Sequence, residues 1–199
     1  MLGLDLIHLV KSVGYAGIWT TIVLENGVLL FFFLPGDTLL FTAGLLASQH
    51  LLNIWVLIAG SFASAIIGYM LGYYFGGKRG KKALETGGTK LIKLEHLEMT
   101  RRFYTNYGRA TLVLGRFLPI RPLISYLAGV SQMDYRTFMV FNVLGAAIWT
   151  VSLPLLGYYF GKMVPPETID QYIIPIVLLI MVIVAFPVLM KLYQSRKKA

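Results

Sequence analysis

Forty consecutive residues, Thr38 to Gly77, carry no charged side chain, and a second run of twenty-five, Thr137 to Gly161, carries none either. A helix needs about 20 apolar residues to cross the hydrocarbon core of a bilayer, so these runs predict a polytopic α-helical membrane protein. Composition agrees: 57% of the 199 residues are hydrophobic and 14% charged, against roughly 25% charged in soluble chains. A soluble enzyme, a disulfide scaffold and a disordered regulator are excluded. With no cysteine, so are thiolate metal sites and cysteine nucleophiles.

Charge is distributed in a way that sets orientation. Nine of the 18 Lys/Arg lie in residues 78–109, opposed there only by Glu85, Glu95 and Glu98, and Lys191, Arg196, Lys197 and Lys198 close the chain. Basic residues concentrated at the ends of apolar segments follow the positive-inside rule. Residues 78–109 and the tail are therefore expected on the cytoplasmic side, and the excess charge points to membrane surface rather than nucleic acid. The first ten residues have no basic start, so a cleaved signal peptide is not expected.

Two apolar stretches are broken. Residues 13–34 end at Leu34-Pro35-Gly36-Asp37, after which only Thr38 to Ala47 is apolar. Residues 110–118 end at Pro119-Ile120-Arg121-Pro122, followed by Leu123 to Val130. Both following arms are too short to span. Proline removes a backbone donor and restricts the residue before it. Such backbone survives at membrane depth only inside protein or against water. A re-entrant hairpin fits both breaks; the alternative is a kinked spanning helix followed by a loop. Residues 54–76, 137–161 and 172–190 are long enough to cross.

The breaks belong to an internal repeat. Gly72-Tyr73-Tyr74-Phe75-Gly76 recurs as Gly157-Tyr158-Tyr159-Phe160-Gly161, Leu34-Pro35 aligns with Leu118-Pro119, and Gly44 aligns with Gly129. The chain reads as one membrane domain: repeat one over about 13–77, the basic loop 78–109, repeat two over about 110–161 and a closing helix over about 172–190. With the loop and tail on one side, the two copies have inverted topology. Broken helices from inverted repeats that meet near the midplane form a transporter architecture.

Four ionisable residues fall inside apolar segments or at their breaks: Glu25, Asp37, Arg116 and Arg121. Each costs about 2.5–3.5 kcal/mol at mid-membrane even on the gentlest scale, and such residues mark substrate or proton paths. The expected arrangement sets two acids of one repeat against two arginines of the other. The arginines would grip phosphate bidentately, and the acids would gate by protonation; a purely structural ion-pair cluster is the alternative. Asp134 and Arg136 read as an interfacial pair. Gly68, Gly72, Gly76, Gly157 and Gly161 continue small-residue spacings that let helices approach closely. His8, His50 and His96 have no metal-ligand spacing, and no nucleophile–base–orienter set is present, so neither a metal, a cofactor nor an enzyme is expected. Segment 89–104 reads as an interfacial helix on anionic headgroups, or equally as a helix packed on the membrane domain.

Taken together, these motifs resemble the DedA family, bacterial membrane proteins of the VTT/SNARE-associated class, over nearly the whole chain. The resemblance is carried by Glu25 before Pro35-Gly36-Asp37, by Gly68, Gly72-Tyr73 and Gly76, by Gly115-Arg116-Phe117-Leu118-Pro119 with Ala128-Gly129, and by Phe141-Asn142, Trp149 and Gly157-Tyr158. The chain departs from the family at Tyr69, often an Asp, at Gly77, often an Arg, and in the spacing from Arg116 to Arg121, which is one residue shorter. The resemblance implies lipid translocation at the bacterial cytoplasmic membrane, chiefly recycling of undecaprenyl phosphate, with protons or sodium as coupling ions. It implies membrane lipids as partners and leaves room for a homo-oligomer. A cation-coupled antiporter of small solutes and a structural membrane scaffold are the alternative functions.

Overall fold

The computed structural model describes residues 2–31, 34–80, 108–118 and 121–163. The closing span expected at 172–190, most of the basic segment 78–109 and the Pro119-Ile120 pair lie outside them. Every described element is helical. In chain order these are α1 (Leu2–Gly27), α2 (Gly36–Ser48), α3 (Ile54–Phe75), α4 (Thr111–Leu114), α5 (Arg121–Val130) and α6 (Tyr135–Met163), with 3-10 turns at Leu29–Phe31, Gly108–Ala110 and Gly115–Phe117. A π-helical turn, Gly76–Gly80, extends α3. Two of these helices, Ile54–Lys78 and Tyr135–Met163, are long and apolar enough to cross a membrane.

The breaks expected from proline and charge separate real elements. α1 ends at Gly27, and α2 begins only after Pro35, with Asp37 in its first turn. There its charge complements the exposed N–H groups of the helix start. α1 begins at Leu2, ahead of the apolar run at 13, because Asp5, His8 and Lys11 interrupt hydropathy without breaking a helix. In the second copy Arg116 lies in a 3-10 turn, and α5 starts at Arg121-Pro122, proline being tolerated in a first helical turn. α2 has 13 residues and α5 has 10, so neither can cross a bilayer by itself. Asn53 caps α3, its side chain accepting from the Trp55 and Val56 N–H groups at 2.9 and 3.2 Å. Asp134, expected to pair with Arg136, accepts from the Thr137 N–H at 2.8 Å and so caps α6.

Each short helix packs mainly on the long helix of the other copy: α2 on α6, and α5 on α3. α1 lies along α3, and α3 also meets α6. Glycines permit these approaches. A methyl group on Gly44 would run into the Pro154 backbone, one on Gly129 into the Tyr73 carbonyl, and one on Gly68 into Asn26 of α1. The larger core gathers Ile18, Ile22, Leu40, Leu57, Ala65 and Trp149 from α1, α2, α3 and α6. A second core joins Tyr69, Leu112, Ile124 and Phe138. Each core carries one aromatic residue that touches a charged one: Trp149 reaches Asp37, and Tyr69 lies under Arg116.

Candidate functional site

Glu25, Asp37 and Arg121 come from three helices and meet. Arg121 Nη2 donates to Asp37 Oδ2 at 2.5 Å, and Arg121 Nη1 lies 3.4 Å from Glu25 Oε1. The Glu25 and Arg121 side chains are buried, whereas that of Asp37 is 47% exposed and forms the open side of the cluster. Trp149 of α6 completes this corner: its Nε1 donates to Asp37 Oδ1 at 2.7 Å, and its ring lies 5.0 Å from the guanidinium carbon of Arg121. The Glu25 carboxyl sits directly over Gly36, where any side chain would collide with it. The small residue after Pro35 therefore makes room for the acid.

Arg116 occupies a different environment. It is fully buried and makes no ion pair among the described residues. Its Nη2 donates to the Asn142 side-chain oxygen, and to the Asn142 carbonyl at 3.3 Å. Its guanidinium stacks over the Tyr69 ring at 3.8 Å. Nε and Nη1 have no hydrogen-bond partner among the described residues, and neither does the buried Tyr69 hydroxyl. Asn142 donates onward to the Ile66 carbonyl at 3.3 Å, tying α6 to α3. Gly145 faces the Arg116 side chain so closely that a methyl there would touch Cδ and Nε at 3.1 Å.

The four ionisable residues expected to share a site thus divide unevenly. Both acids lie on Arg121, and Arg116 has an amide and an aromatic face instead of a carboxylate. Sequence reasoning did not assign Tyr69, Asn142 or Trp149 to the site. All three are uncharged residues within apolar spans, so charge does not mark them, and Asn142 and Trp149 stand out only as members of the family motif. Of the glycines expected to pack helices, Gly72 faces Ser125, Gly76 the Tyr126 carbonyl, Gly157 the Phe41 carbonyl and Gly161 Ser48. Among the described residues no group of His, Asp or Glu could hold a metal ion.

All of this arrangement except Glu25 lies inside a region shared with known proteins. The VTT domain matches residues 34–159, from the first break to the second Gly-Tyr-Tyr-Phe-Gly run. The chain is 35% identical over 164 residues to Protein DedA of Escherichia coli K12, spanning 78% of this chain and 75% of that one. It is 31% identical over 186 residues to an uncharacterized membrane protein of Mycobacterium tuberculosis H37Rv, spanning 92% and 82%. It is 34% identical over 152 residues to the inner membrane protein YghB of Escherichia coli K12, spanning 76% and 69%. No solved structure matches. The domain match, the identity to Protein DedA over most of both chains and the helical architecture together mean that the chain belongs to the DedA family of membrane proteins.

Proposed function

We propose that the chain carries a lipid phosphate between leaflets of the bacterial cytoplasmic membrane, with a polyprenyl phosphate such as undecaprenyl phosphate as cargo, returned from the outer to the inner leaflet. The observation that carries this reading is Arg116, a fully buried guanidinium with two unpartnered N–H sites and no carboxylate among the described residues. An uncompensated buried charge costs about 3–5 kcal/mol. A phosphate headgroup would supply the missing counter-charge, and the planar fork suits two of its oxygens. Leu114 and Phe117, on either side of Arg116, are exposed. Apolar surface therefore lies within one turn of the cation, where an acyl or prenyl tail can stay in the bilayer while the headgroup reaches inward. That feature favours a lipid over a small solute.

In this reading Arg121 is the second phosphate ligand, held shut by Glu25 and Asp37 until the headgroup arrives. Protonation of the acids, or exchange for sodium, releases it. The two short helices are the tips of re-entrant hairpins entering from opposite faces, with Gln49 and Pro166 outside and Lys82 and Lys198 in the cytoplasm. Single cysteines at these positions, in a chain that has none, report sidedness to an impermeant maleimide. Labelling of position 82 from outside refutes the orientation. The function is tested by leaflet-resolved translocation in liposomes with a short-chain polyprenyl phosphate and an uncharged lipid side by side. Movement of the phosphate alone supports the reading. Equal movement of both makes the protein a non-selective scramblase, and movement of neither turns attention to the solute antiporter.

A further inference from the structure

The two copies of the repeat superpose in sequence at one offset for both kinds of helix: Gly44 on Gly129 in the short helices, and Gly72 and Gly76 on Gly157 and Gly161 in the long ones. Phe41 then corresponds to Tyr126, and Tyr73 to Tyr158. Equivalent packings would bring equivalent residues together. They do not. The Tyr126 carbonyl lies against Gly76, the second glycine of its run, whereas the Phe41 carbonyl lies against Gly157, the first of its run. Gly129 lies against the Tyr73 carbonyl, but Gly44 lies against the Pro154 carbonyl, four residues before Tyr158. Two separate comparisons thus give the same displacement. α2 sits on α6 one helical turn nearer the N-terminus than α5 sits on α3.

The sequence provides for both positions. Each long helix has a glycine at the occupied position and another one turn away, and in both copies the second glycine faces a serine hydroxyl, Ser125 at Gly72 and Ser48 at Gly161. A rotatable hydroxyl can yield its place; a helix backbone carbonyl on a side chain cannot. We infer that the short helices form a two-position ratchet, in which the copies exchange registers. In the second state the Phe41 carbonyl lies on Gly161 and the Tyr126 carbonyl on Gly72. One-turn slides of about 5.4 Å between packed elements are an established kind of two-state transition. The inference rests on the transport reading for its purpose, since exchanging the two packings is how a site bounded by both short helices would change the face it opens to. Its geometry does not depend on the cargo.

Nitroxide labels at Leu51→Cys with Tyr159→Cys report α2 against α6, and labels at Ser131→Cys with Tyr74→Cys report α5 against α3; all four positions are exposed. Pulsed electron–electron distances are read in liposomes without cargo. In the observed register alanine at Gly157 or Gly76 puts a methyl on a helix backbone carbonyl, whereas alanine at Gly161 or Gly72 meets a serine side chain first. Gly157→Ala should lengthen the 51–159 distance by about 5 Å and shorten the 131–74 distance. Gly76→Ala should do the same at both label pairs although it lies on the other long helix, while Gly161→Ala and Gly72→Ala keep the starting distances. Parental distances in Gly157→Ala overturn the ratchet, as does loss of folding in Gly157→Ala alone, or a Gly76→Ala change confined to its own label pair. Because no lipid phosphate is present, a failed translocation assay leaves this result standing, and the reverse also holds.

Discussion

Arg121 and Arg116 are five residues apart in the chain and both buried, yet among the described residues one faces two carboxylates and the other faces none. Arg121 joins Glu25, Asp37 and Trp149 and so holds α1, α2, α5 and α6 together. Arg116 rests on Tyr69 and Asn142. The comparison separates two uses of a buried cation. A paired one acts as a fastener whose removal strands its partners. One with no carboxylate among the described residues has only an amide and an aromatic face to offset its burial.

The largest expected effect tests the fastener. Arg121→Met leaves Glu25 buried without a counter-charge and should lower stability by about 3–5 kcal/mol, read from detergent or thermal unfolding. Adding Glu25→Gln should restore most of it. Arg116→Met, by contrast, removes an uncompensated charge and should leave stability unchanged or higher while abolishing translocation of lipid phosphate. Equal destabilisation by both methionine variants would erase the distinction.

The next effect concerns ligand geometry. Arg116→Lys keeps the charge but not the planar fork, and translocation should fall at least about tenfold, equivalent to roughly 1.4 kcal/mol. Arg136→Lys, at an exposed position, should be nearly silent. A smaller change should appear in the pH profile. Acidification neutralises Glu25 and loosens its hold on Arg121, so translocation by the parent should climb as pH falls. Glu25→Gln should flatten the profile, and Asp37→Asn, at the more open carboxylate, should flatten it less. Unaltered profiles in both amides would remove the acids from gating. The smallest effect belongs to the Tyr69 hydroxyl. Tyr69→Phe keeps the ring beneath the guanidinium and should stay within about twofold of the parent. Tyr69→Leu loses a cation–π contact worth about 1–2 kcal/mol and should weaken headgroup binding measurably.

Much of the fold was legible because the bilayer leaves few choices for charge and proline. The arms expected at Thr38–Ala47 and Leu123–Val130 appear as Gly36–Ser48 and Arg121–Val130, and the spans expected at 54–76 and 137–161 appear as Ile54–Phe75 and Tyr135–Met163. The site was legible only in its charged residues. Which acid meets which arginine depends on three-dimensional packing between copies, and a sequence offset cannot tell Arg116 from Arg121. Asn142 and Trp149 met their partners across 26 and 112 residues, a separation that no local pattern spans. The one-turn displacement was hidden for the opposite reason: the two glycine-bearing runs are identical, and only their partners differ.

The exchanged packing, α2 on α6 and α5 on α3, also has a consequence for biosynthesis. When α2 leaves the ribosome, the helix that will cover it has not been made, and Asp37 must wait 112 residues for Trp149. At about 5–20 residues per second, that is a delay of roughly 5–20 s during which an acid and a helix too short to cross lie without their final partners. The first half of the molecule thus cannot mature as it is inserted. Assembly is completed backwards, when the second copy arrives and each half closes the other.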